Sequence, residues 1–235
     1  MRPRTIFSVA IVAGSVAVAA LGFPFSKWTR WGILTPTELA LKTPAPPDDS
    51  CFQTQVALAE LGDKKAIRDA TPLTADELAI YKTVLARWNE GPRSSLNVSS
   101  RTMPLDRDIS DCDCLKGMDV QSLAKATRSF HVLTRDVLTN GARLVDAEFQ
   151  SAIVVRNDPM NSIRNGSSVD SAVEQGFSNG LFELSEIAFD KERRRAIVSY
   201  SFVCGSLCGS GGTWLFEKVD GIWKKSERMC GGWVS

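Results

Sequence analysis

The chain has 235 residues, 43% of them hydrophobic, enough to bury a full core, and this excludes disorder as a whole. Its 28 basic and 27 acidic residues leave a formal net charge of +1, so no global field favours nucleic acid or an acidic polymer. Nucleic acid is therefore not an expected partner, and no cofactor-binding motif stands out.

At the N-terminus Arg2 and Arg4 precede an apolar run from Ile6 to Phe23 that carries no charge. Small residues at Ala17, Ala19 and Ala20 fit a signal-peptidase site, giving a mature chain that begins near Leu21. The same run approaches the length needed to cross a bilayer, and "FPFSKWTRW" after it suits a membrane interface, so residues 6–23 are either a cleaved leader or a retained anchor. Both readings place the bulk of the protein outside the cytosol, periplasmic or secreted. Residues 24–50, with prolines between Pro36 and Pro47, read as a linker, and 51–235 as one domain.

Within that domain, "FQTQVALAEL" can form a first helix ending at Gly62. A second is better specified: Thr74 as N-cap and Glu77 make a capping box, Leu73 and Leu78 a staple, and Gly91-Pro92 a stop. Leu78, Tyr81, Leu85 and Trp88 recur at helical spacing, the pattern of a core face. Residues 93–118 lack periodicity and read as a long surface loop; Asp119 then caps a helix carrying Leu123, Ala126 and Phe130 on one face. Residues 134–180 are ambiguous, with an apolar "SAIVV", a turn at "RNDP" and a short helix near "SSVDSAVEQ".

From Leu181 the period becomes two: Phe182 and Leu184, then Val198, Tyr200 and Phe202, alternate with polar neighbours. "KERRR" at 191–195 is a solvated turn, "TWLFEKV" a third strand, and Asp220-Gly221 a hairpin turn leading to "IWKKSERM" as a fourth. The expected fold is thus α+β, with N-terminal helices (about 51–175) packed on a C-terminal antiparallel meander of four strands (181–235).

Few residues can carry chemistry. His131 is the single histidine, which excludes multi-histidine metal centres and leaves one candidate base, placed beside Phe130 on a helix. The cluster Asp106, Asp108, Asp111 and Asp113 invites a calcium reading, but counted from Asp106 the glycine and glutamate of a calcium loop are missing, which favours a solvated loop. In an exported chain an even count of cysteines favours disulfides among Cys51, Cys112, Cys114, Cys204, Cys208 and Cys230. Three of them lie in each half, so either a bridge joins the halves or each half keeps a free thiol. Zinc held by Cys112-x-Cys114 and Cys204-x₃-Cys208, or redox work by Cys204 and Cys208, are the competing uses. The glycines between and after those sulfurs, Gly205, Gly209, Gly211 and Gly212, are candidate ligand-loop positions and permit a wide or bulged hairpin bend.

The run "LSEIAFD" with "AIVSYSFVCGSLCGSGGTWLFEKVDGIWK" and the closing "WVS" resembles a C-terminal block of uncharacterised exported bacterial proteins, over residues 180–235. That resemblance implies location and fold and transfers no catalytic residue. It also implies a local Cys204–Cys208 pair, leaving the other four cysteines to form their own bridges. The leading expectation is an extracytoplasmic, disulfide-stabilised binding or structural domain rather than an enzyme. The alternatives are a hydrolase with His131 as general base for a Ser or Cys nucleophile, or the zinc or redox protein.

Overall fold

The computed structural model describes residues 54–56, 65–88, 95–107, 109 and 111–235, and within them nothing of the Cys112 side chain. The leader or anchor at 6–23, the linker and Cys51 lie outside the described residues. Among the described residues no helix is long and apolar enough to cross a membrane.

The fold is α+β around a six-stranded mixed sheet. In chain order the elements are β1 (Ile67–Arg68), α1 (Ala75–Trp88), β2 (Leu96–Ser99), α2 (Cys112–Leu115), α3 (Val120–Ala126), β3 (Ser129–Phe130), β4 (Ala142–Val145), α4 (Ala147–Arg156), α5 (Pro159–Arg164), α6 (Val169–Asn179), and β5 to β8 (Leu181–Phe189, Arg195–Gly205, Cys208–Val219, Ile222–Val234). The sheet order is β4-β2-β5-β6-β7-β8, with β1 and β3 forming a separate parallel pair. From β5 to β8 every neighbour is antiparallel. β2, by contrast, runs parallel to both β4 and β5. The meander is therefore two thirds of a larger sheet: within the stretch expected to be a loop, all four residues of β2 are buried, and a strand buried on both faces shows no alternation.

Local signals set the helix starts. The Thr74 N–H donates to Glu77 Oε2 at 2.6 Å and the Glu77 N–H to Thr74 Oγ1 at 3.3 Å, the reciprocal capping box. Ile80, Tyr81, Val84 and Leu85 are the buried residues of α1, and they cluster with Phe182, Leu184, Val198 and Phe216 on one face of the sheet. Trp88 extends that packing, its ring centroid 5.2–5.4 Å from those of Phe182, Tyr200 and Phe202. Asp119 caps α3 as expected, accepting from the Gln121 and Ser122 N–H groups. Leu123 and Ala126 join Leu105, Leu115, Ile197 and Leu215 in a second cluster, which register places on the opposite face.

One open segment is assigned and two assignments are corrected. "SAIVV" lies in α4, which Asp146 starts by accepting from the Phe149 N–H. Phe130 is in β3, because α3 ends at Ala126, where the Thr127 N–H closes back on the Leu123 carbonyl and the Arg128 N–H on that of Lys125. The glycine stretch after Cys208 is strand and not bend: the turn is Ser206–Leu207, and β7 opens at Cys208. Asp220-Gly221 does turn β7 into β8, with φ of 54° and 78°.

Candidate functional site

His131 follows β3 and is 4% exposed. Its partner is Glu186, also 4% exposed, at a bulge of β5 where Leu184 pairs with Tyr200 but Ile187 with Val198. Ser185 and Glu186 thus oppose Ser199 alone, and the extra residue lets Ile187 return to the core while Glu186 reaches the imidazole. Nδ1 of His131 lies 2.8 Å from Glu186 Oε2 and 2.9 Å from Oε1. The His131 N–H also donates to Oε1 at 2.9 Å, and the Thr102 hydroxyl donates to the same oxygen. A carboxylate only accepts, so the ring proton belongs on Nδ1.

Nε2 faces outward, 3.5 Å from both Thr71 Oγ1 and Asp69 Oδ2, at the wall of a 290 Å³ cavity that also touches Arg68, Leu73, Thr134 and Asp136. Hydroxyl, imidazole and carboxylate therefore stand in line. The Thr71 hydroxyl, however, donates to Asp69 Oδ1 at 2.7 Å, and its N–H to the same oxygen at 2.9 Å. Lys125 holds Oδ2 of Asp69 at 2.7 Å. That ammonium, followed by the Thr71 donors, keeps the Asp69 carboxyl well below the usual carboxylate range. The Thr71 proton goes to Asp69 and not to Nε2, and the His131–Glu186–Thr102 contacts join β3, the 101–103 segment and the β5 bulge.

The cysteines take a different role. Cys114 in α2 is bonded to Cys230 in β8, bridging positions 116 apart, and Cys204 is bonded to Cys208 across the β6–β7 turn. The first bond joins the two halves of the sequence. Both pairs fit an oxidising compartment. In this structure Cys204 and Cys208 are bonded to each other, and Cys114 to Cys230.

The hairpin tip is half of a cleft of about 410 Å³. Phe202, Cys204, Leu207 and Cys208 form one wall; Met160 and Ile163 of α5 and Val173 and Phe177 of α6 form the other, with Trp88 and Val234 alongside. Among the described residues of the lining, Asp158 is the one charged side chain. It caps α5 through the Met160 N–H at 2.9 Å and ties the hairpin down through the Ser206 N–H at 2.8 Å. Burial, the largest influence, would raise its pKa, but the Ser206 and Met160 N–H donors, with the Ser206 side chain and the Arg164 charge, together outweigh it and hold the carboxyl below its ordinary value. Pro159 fixes the spacing of the walls: a Cβ on Gly205, whose φ is 154°, would lie 2.6 Å from its Cδ.

Comparison with protein families, curated proteins and solved structures finds no match to this chain.

The remaining predicted positions disperse. Gly209 lines the apolar cleft, whereas Gly211 and Gly212 lie under other side chains of β8. Gly209, Gly211 and Gly212 serve close packing instead of a bend: a Cβ on Gly211 would stand 2.6 Å from Cε2 of Trp233. Asp111 and Asp113 pair with Arg228, Asp106 is exposed, and Asp108 lies outside the described residues. No group of three or more His, Cys, Asp or Glu placed to hold a metal occurs among the described residues. Glu186 was missed as a site residue; its signal was a carboxylate interrupting the apolar run of "LFELSEIAF".

Proposed function

We propose that the protein is an extracytoplasmic binding domain, stapled by disulfides, whose ligand is a small apolar molecule, neutral or cationic, seated between the Cys204–Cys208 hairpin and helices α5 and α6. The observation that carries this reading is the cleft itself: about 410 Å³, within the size range of small-molecule pockets, and walled by aliphatic, aromatic and sulfur-bearing side chains. Asp158 chooses the sign of the ligand's charge, since an anion would meet an ionised carboxylate already committed to two N–H donors. The exported location rests on the uncharged N-terminal run and on disulfides that a reducing cytosol would open.

Titration with N-phenyl-1-naphthylamine, a neutral probe that brightens in apolar surroundings, tests the reading. One saturable site is expected in the wild type. Val173→Trp, which fills the cleft, should abolish it without lowering the thermal midpoint. Equal brightening in the filled variant would place the probe elsewhere and remove the reading.

A further inference from the structure

The two disulfides are buried to different depths. Cys114 and Cys230 are both 0% exposed, within the cluster of Leu105, Leu115, Ile197 and Leu215. Cys204 is 1% exposed, but Cys208 is partly exposed, and both line the apolar cleft. The link between them, Gly205 to Leu207, is the hairpin tip, where Leu207 is 68% exposed. Exposed disulfides are the labile ones, because an attacking thiolate must reach a sulfur.

Access gives the exchange a direction. A thiolate bonds to Sγ of Cys208, the sulfur of the more exposed residue, while the bond to Cys204 breaks and the Cys204 sulfur leaves with the electron pair. That sulfur takes a proton and finds an acceptor in place, the Cys208 carbonyl oxygen at 3.1 Å. A second thiol of the same reductant then closes the reductant's own disulfide and frees Cys208 as a thiol. Two electrons and two protons pass from the dithiol to the protein. The rest of the hairpin stays paired, Phe202 with Ser210 and Val203 with Gly209. Only the span from Cys204 to Cys208 is released, still tied to the Asp158 carboxylate through the Ser206 N–H.

We propose that Cys204–Cys208 is a redox site, opened by a dithiol reductant while Cys114–Cys230 stays closed, and that its opening loosens the cleft wall and lowers ligand affinity. The selective opening follows from the difference in burial. Its effect on binding rests on the cleft being the ligand site, since Cys204, Leu207 and Cys208 form part of one wall.

Treatment of the full chain with dithiothreitol under native conditions, followed by iodoacetamide and peptide mass mapping, tests it, with N-phenyl-1-naphthylamine titrated in parallel. Cys204 and Cys208 should be alkylated well before Cys114 and Cys230, with the circular dichroism unchanged. Probe affinity should fall several-fold and return on reoxidation. In the double variant Cys204→Ser, Cys208→Ser, dithiothreitol should leave probe affinity as it is; if that variant does not fold, reoxidation of the wild type serves as the control. Equal or earlier alkylation of Cys114 and Cys230, or opening of Cys204–Cys208 only once the fold is lost, would overturn the redox site. Unchanged probe affinity after selective reduction would overturn its hold on the cleft. Absence of probe binding before reduction would instead remove the binding role, and the order of alkylation would still decide the redox site.

Discussion

Glu186 grips His131 at two points, the ring Nδ1 at 2.8 Å and the backbone N–H at 2.9 Å, with neither residue more than 4% exposed. The pair joins elements that are remote in sequence, so its loss is felt in the fold. Glu186→Ala leaves the His131 ring N–H and the Thr102 hydroxyl without this acceptor, and a buried donor left unsatisfied costs about 1–3 kcal/mol. Urea unfolding should show that loss. A change below about 1 kcal/mol, typical of an exposed pair, would mean the network is not holding the fold.

Asp69 makes part of the stability depend on pH. Its carboxyl titrates well below its ordinary 3.8 in the fold, through Lys125 first and then the Thr71 donors. A depressed carboxyl stabilises the fold above its unfolded value, and this contribution is lost as pH falls through the folded value. The raised pKa of Lys125 gives the mirror case, lost only in strong alkali. The thermal midpoint should therefore decline below about pH 4, and Asp69→Asn should flatten the decline. Parallel curves for variant and wild type would contradict this.

The two disulfides should differ in weight. In the chain-entropy description a bond between positions 116 apart removes far more freedom from the unfolded chain than one between positions 4 apart, about 5 kcal/mol against about 2. Opening Cys114–Cys230 by paired Ser substitution should lower the denaturation midpoint much more than opening Cys204–Cys208. The local bond acts on the cleft, so its removal should weaken N-phenyl-1-naphthylamine binding more than it weakens the fold. The reverse order would show that the hairpin, and not the α2–β8 bridge, governs stability.

Locally written features were legible in sequence: the Thr74–Glu77 box, the Asp119 cap and the Asp220-Gly221 turn each involve neighbours within three positions. Features that depend on distant partners were not. β2 is a strand because Leu96 to Ser99 find β4 on one side and β5 on the other, and nothing in "LNVS" announces a parallel pairing. The His131–Glu186 contact spans 55 positions and needs a bulge that shifts register by one residue. The glycines of β7 were legible as glycines, but their use was set by Trp233 and Met229 arriving from β8. A missing side chain has no periodicity of its own. The apolar cleft is likewise assembled from α5, α6 and the hairpin, whose proximity depends on Pro159 packing against Gly176 and Gly205.

The measurement that bears most directly on the binding role is isothermal titration of the wild type and Val173→Trp with octyltrimethylammonium and with octanoate. Burying most of an eight-carbon chain supplies roughly 0.8 kcal/mol per methylene before ordering costs, so a Kd on the order of a millimolar or tighter is expected for the cation. With Asp158 on the rim, octanoate should bind more weakly, and the filled variant should bind neither. Preference for octanoate, or undiminished binding of the cation by Val173→Trp, would contradict the assignment of the cleft.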